Sequence, residues 1–271
     1  MPGSKKPRKK KTVAVKATLP NLRFLHVEVT QERFLELSVE MRYCVLLLSH
    51  IQHEISWLQR MMFIASRAPV NPDDEMEKNG TVMQASLVLR LLLGKLNEFR
   101  ISVNDTPIIL TFLQDWCDPD NPAAGAKKVT TLMELFESNH WLRSARNKHF
   151  LHYPTLNDVR NTLEDRDFEW RFDMYVANSS MNSLCPTADI MANLAWYKLV
   201  DSENAITGLD RAYDSMAKLS RDVIEVLESS LGYFIDRNVS RISEGKTVSM
   251  KARVCVNDIK LPFFMSGIYD E

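Results

Sequence analysis

The sequence predicts a mainly α protein: an antiparallel helical bundle of four to five long helices with a small β appendage. Apolar residues recur three and four apart over stretches much longer than a strand, as one face of a helix requires. Strict two-residue alternation, the strand period, is confined to short segments. Proline and glycine punctuate the long seams at intervals suited to antiparallel neighbours joined by loops.

Leu25, Val27 and Val29 alternate with His26 and Glu28, which predicts a short strand within Leu22–Val29. Thr30 is a candidate N-cap. After it, Phe34, Leu37, Met41, Cys44, Leu48, Ile51, Ile55, Leu58 and Met62 predict one unbroken helix from Glu32 to Ala65, about 50 Å long. Residues Pro69 to Gly80 read as a turn or loop, with Asp73, Asp74, Glu75 and Glu77 explained by an acidic loop or a helix N-terminal turn. A second seam, Val82, Ala85, Leu89, Leu92, Leu96, Phe99 and Val103, predicts an antiparallel neighbour for the first helix.

The apolar piece IILTFLQDW, flanked by Pro107 and Pro119, reads as a helical turn packed on the bundle. A third helix is expected from near Lys127. Its seam runs Leu132, Leu135, Asn139, Leu142, Arg146, His149 and Tyr153. Residues 166–176 then alternate strictly, as do Val248, Met250, Ala252, Val254 and Val256, so the two segments are expected to pair, with Leu25–Val29 beside them. Helical spacing returns after Pro186 and runs through Leu209, Tyr213, Met216, Val223, Leu227 and Phe234, with Gly208 as the break between two pieces. The domain reading is a disordered basic tail at 1–16, a helical bundle at 30–236 with a β insertion at 166–177, and a C-terminal appendage at 237–271 with β patterning.

The chain has 271 residues, 45% hydrophobic and 25% charged, an ordinary balance for a globular protein. Its longest apolar run, Leu87 to Leu93, is cut by Arg90, well short of the roughly eighteen residues of a membrane span. No secretory signal is visible, because the basic N-terminal run is not followed by an apolar segment. Cys44, Cys117, Cys185 and Cys255 are solitary, which suggests neither a disulfide scaffold nor a zinc knuckle. The expectation is a cytoplasmic protein without membrane association. Formal net charge is −1, and residues 1–16 carry seven cationic side chains and no acid, so the remainder carries −8. Such a tail is a phosphate-seeking arm, a nuclear address or a plain solubilising terminus.

The third seam changes character at Arg143–Pro154, RSARNKHFLHYP. An arginine and a histidine on a core-facing stripe must be paired, hydrated or facing a cleft, because burying them without partners costs several kcal/mol. No other single stretch offers an acid cluster to match them. Pro154 disfavours helical geometry at Tyr153, so the helix should stop near His152. Arg146 and His152 therefore lie at a helix end.

Arg146, Asn147, four further residues and then His152 resemble the signature of the HEPN superfamily (higher eukaryotes and prokaryotes nucleotide-binding). RNKHFLH, the earlier LLLGKLNEF and the order of long helices resemble its abortive-infection branch, over roughly Thr30 to Phe234. The resemblance implies a HEPN-like bundle acting as a metal-independent endoribonuclease and a homodimer, toxin- or defence-related, with RNA as substrate and an antitoxin or other protein as a further partner. The catalytic residues it implies are Arg146, Asn147 and His152, with no cofactor and no metal. Glu98 is either a solvated flank residue or, as the resemblance implies, an acid facing the cleft. His149 either assists Arg146 and His152 or makes a helix contact. One departure stands out: Tyr153 follows the histidine directly, where one branch has a tyrosine a residue later.

The chemistry fits those residue types. Cleavage of RNA by its own 2′-hydroxyl needs a base, an acid and a cation on the crowded phosphate. Histidine transfers protons near neutral pH and arginine clamps phosphate with a planar fork. One motif supplies one His152, so a second copy across a two-fold axis would supply the other. The alternative is a non-catalytic helical module for dimerisation or for binding RNA or nucleotide. Other chemistries lack their patterns. Only Glu137 to His140 has the Glu-x-x-His spacing of a two-metal carboxylate bundle, and glycine-rich phosphate loops, G-x-S-x-G and H-E-x-x-H are absent.

Overall fold

The computed structural model describes residues 21–67, 69, 71–150, 152–163, 172–177, 183–251 and 259. It is mainly α with a small two-stranded antiparallel sheet, the fold class that the helical seams predict. The basic tail at 1–16 and the alternating stretch at 166–171 lie outside the described residues.

Strand β1 (Asn21–His26) pairs with β2 (Lys246–Lys251), His26 opposite Lys246 and Asn21 opposite Lys251. The expected place of Leu25–Val29 beside the segment around Val248 is thus met by β1, while the described residues 172–177 do not pair with β2 and 166–171 lie outside the described residues. The described remainder of the alternating stretch contributes only a bridge between Tyr175 and Leu184.

Thr30 does cap a helix, accepting from the Arg33 amide, but α1 (Gln31–Leu35) is short. The single helix expected from Glu32 to Ala65 is broken at Glu36–Ser38. Ser38 has extended backbone and its hydroxyl accepts from the Met41 amide, so it starts a new helix, α2 (Val39–Ala65). Phe34 and Leu37 keep their places against the core across the break. Helix α3 (Glu75–Asp105) begins earlier than the loop reading allowed, because the Asp74 carboxylate caps the Met76 and Glu77 amides. Glu75 and Glu77 then sit in its first turn, where the helix dipole favours acids. Helices α2 and α3 pack on each other as antiparallel neighbours across a short connection, with Lys95 bridging to Glu54 at 2.8 Å.

IILTFLQDW is a full helix, α4 (Pro107–Trp116), whose Ile109, Phe112 and Leu113 are buried. The third long helix is also divided. Helix α5 (Pro122–Ser138) ends where the Asn139 side chain donates to the Leu135 carbonyl at 2.8 Å and accepts from Trp141 Nε1 and Ser215 Oγ. Those bonds give the backbone an alternative to continuing the helix. A short α6 (Trp141–Ala145) then runs into a π-helical turn, Arg146–Phe150. Helix α7 (Leu156–Leu163), which the sequence reading missed, follows, with Thr155 and Asp158 bonded to each other at its start.

Helices α8 (Pro186–Val200) and α9 (Ala205–Asn238) complete the bundle. Their break falls at 201–204, where Asn204 caps the Ile206 and Thr207 amides, and not at Gly208. Gly208 instead lies inside α9 where α8 passes closest: a Cβ there would stand 2.2 Å from the Tyr197 carbonyl oxygen. We expect Gly208→Ala to cost about 1–3 kcal/mol by forcing the helices apart, measured by chemical denaturation; an unchanged midpoint would contradict that contact.

The core between these helices is aliphatic around Leu89, Leu92, Leu93 and Leu96 and aromatic around Trp196. It also holds polar groups between α3 and α8. The Tyr197 hydroxyl lies 3.3 Å from Ser86 Oγ and burial pushes it up to about 12. Burial likewise raises the Asp189 carboxyl, against the pull of Arg90. Among the described residues no helix is long and apolar enough to cross a membrane.

Candidate functional site

The motif opens on the π-helical turn. A π turn bonds i to i+5 and holds an extra residue, so it re-aims side chains that an α-helix would spread evenly, and such turns recur at functional sites. Here it buries two consecutive residues, His149 and Phe150, each 4% exposed. Phe150 packs edge-on against Trp196 at 5.4 Å between ring centroids. Trp196 is fully buried, stacks on Trp141 and donates from Nε1 to Asn193 Oδ1 at 3.0 Å. The motif is thus clamped from α6 and α8 by an aromatic cluster.

Arg146 stays half-buried at the start of the turn. Its Nε and Nη2 both reach Glu98 Oε1 at 2.7 Å, and its Nη1 donates to Asn147 Oδ1 at 3.0 Å. No acid cluster meets this end among the described residues, but a single acid does: Glu98 on α3 pairs with Arg146. Of the two readings of Glu98, the structure favours the acid turned toward the motif over the solvated flank residue. Both side chains remain partly in water, so the pair contributes about 0–1 kcal/mol and serves to aim the guanidinium.

His152 lies beyond the turn, in a bend and exposed. The structure thus brings Arg146 and Asn147 together and holds His152 at the exit of the same element. Tyr153 does not continue the seam; it is 96% exposed because the helix has already ended at Phe150.

His149 is a buried polar residue of the turn. Its Nδ1 is buried with no hydrogen-bond partner among the described residues. Burial lowers its pKa from the ordinary 6.5, opposed by the Asp158 carboxylate and aided by Lys148. In the unfolded chain this imidazole takes its proton at the ordinary value, and in the folded chain only at lower pH. Between those values the unfolded state binds more protons, so stability is intact above about pH 6.5 and declines as pH falls. We expect the melting temperature to drop between pH 7.5 and 5.5 and to drop less in His149→Leu; equal drops in both proteins would show that His149 does not carry the effect.

Two recesses flank the motif. One, of about 530 Å³, lies between α2 and α3, with Trp57, Leu58, Leu91 and Gly94 as apolar walls and Glu98 and Arg146 at one end. The other, of about 270 Å³, is polar and is lined by Arg100, Asn104, Asp105, Arg143 and Asn147. Arg146 lines the first and Asn147 the second, and the two side chains are bonded to each other. Among the described residues no group of three or more His, Cys, Asp or Glu side chains is placed to hold a metal ion.

Comparisons with protein families, with curated proteins and with solved structures each return no match to this chain.

Proposed function

We propose that the protein is a metal-independent endoribonuclease of HEPN type that works as a homodimer, with Arg146, Asn147 and His152 as the catalytic residues. The observation that carries the reading is the π-helical turn that begins on Arg146 and leaves His152 exposed at its exit. A distorted turn that holds an arginine by two neighbours and frees a histidine is suited to phosphate chemistry.

In the reaction, one His152 takes the proton of the RNA 2′-hydroxyl as its oxygen attacks the adjacent phosphorus. The P–O5′ bond breaks, and the departing 5′-oxygen takes a proton from the second His152, contributed by the partner copy. Arg146 stabilises the charge that accumulates on the phosphoryl oxygens. The products are a 2′,3′-cyclic phosphate and a 5′-hydroxyl, and no water is consumed. Tyr153 and Leu156, 96% and 74% exposed beside the motif, supply apolar surface that a second copy would cover.

Incubation of the purified protein with total RNA in excess chelator, beside sedimentation at micromolar concentration, tests this. Cleavage by a dimer is expected. An inert monomer would replace the nuclease with a helical interaction module that binds RNA or a partner protein.

A further inference from the structure

The larger recess is not needed for the proton transfers, yet it opens beside the arginine that they require. Its size, about 530 Å³, falls within the range of small-ligand sites. Trp57 on its wall leaves 55% of its surface in water, although α2 has a buried face available. At the opposite end, Arg146 uses only Oε1 of Glu98, so Oε2 of that carboxylate has no partner among the described residues. Glu54 differs in that both of its oxygens are occupied by Lys95, at 2.8 and 2.9 Å. The recess therefore offers a flat aromatic face, aliphatic walls, one open acceptor and, beside that acceptor, a guanidinium.

These groups match a nucleobase attached to a phosphate. An aromatic face stacks any base, a carboxylate oxygen accepts from a base amino group, and arginine takes the phosphate. We propose that this recess is a base-binding subsite for the nucleotide next to the scissile phosphate, with Trp57 stacking on the ring and Glu98 Oε2 accepting from its exocyclic amino group. The inference rests on the ribonuclease reading for the identity of the phosphate at Arg146. It makes adenine, cytosine and guanine preferred over uracil, which has no amino group to donate.

The test separates binding from cleavage. Short 2′-fluoro oligoribonucleotides, which lack the attacking hydroxyl, are titrated into the full-length protein and followed by fluorescence anisotropy, beside abasic oligonucleotides of equal length. The wild type is expected to bind the base-bearing oligonucleotide about tenfold more tightly than the abasic one. Trp57→Ala should remove that difference, Trp57→Phe should restore most of it, and thermal melts should be unchanged because the side chain is half in water. Glu98→Gln should erase the preference for cytosine over uracil. Equal binding of base-bearing and abasic oligonucleotides by the wild type, or a Trp57→Ala variant that keeps the difference, overturns the subsite. Base-dependent binding without cleavage of natural RNA leaves the subsite standing and removes the nuclease.

Discussion

Arg146→Ala is expected to lower RNA cleavage by about 10²–10³ and His152→Ala by about 10²–10⁴, with the fold intact in both. The first figure is that of removing one preorganised donor from a developing negative charge. The second is that of removing a general acid or base, and in a symmetric dimer one substitution removes both. Neither residue carries much stability. Arg146 is held by a partly exposed ion pair to Glu98 and by Asn147, and His152 is exposed. Circular dichroism melts should therefore match the wild type within a few degrees. Asn147→Ala should cost less, since Asn147 orients the guanidinium and the remaining bonds to Glu98 still hold it. Retained cleavage in His152→Ala would remove that residue from the chemistry.

Trp196→Ala is expected to have the largest effect on stability, about 3–5 kcal/mol, or roughly 10 °C in Tm. The indole is fully buried, stacks on Trp141, meets Phe150 edge-on and satisfies Asn193. Its loss leaves a large cavity directly beneath the π turn and an unpaired buried amide oxygen. Trp196→Phe keeps the ring contacts but strands Asn193 Oδ1, which costs about 1–3 kcal/mol. Because Phe150 lies within the motif, both variants should lose activity in proportion to how far the turn relaxes. A Trp196→Ala protein as stable as the wild type would contradict the clamp described here.

The bundle was legible because its seams are long and its apolar spacing is unambiguous. Val82 to Val103 needed only a single period to be read, and it lies within one helix. Interruptions were harder to see, because each is made by one side chain bonding locally without disturbing the apolar pattern. Ser38 caps a new helix inside the first seam, and Asn139 turns the third away on bonds to Leu135, Trp141 and Ser215. Leu37, Met41, Leu135 and Leu142 keep their apolar spacing on either side, so periodicity alone runs straight through both breaks. Gly208 misled in the opposite sense: glycine suggested a break where the structure needs close helix approach.

At the site, the stretch could be singled out because Arg146 and His149 interrupt an apolar stripe, whereas Asn147 and His152 were named only through the resemblance of the Arg146-to-His152 spacing. The partnership with Glu98 could not, since the two are 48 positions apart and meet only when α3 and the π turn pack. Neither was the π turn itself visible, nor the contact by which its Phe150 meets Trp196 on α8.

The most direct measurement is cleavage of one synthetic oligoribonucleotide in excess chelator, compared with the same oligonucleotide carrying 2′-fluoro groups. Wild-type protein is expected to cut the first to 2′,3′-cyclic phosphate ends and leave the second whole, while His152→Ala cuts neither. Cleavage of the 2′-fluoro strand, or undiminished cutting by His152→Ala, would contradict catalysis by this motif through the RNA's own hydroxyl.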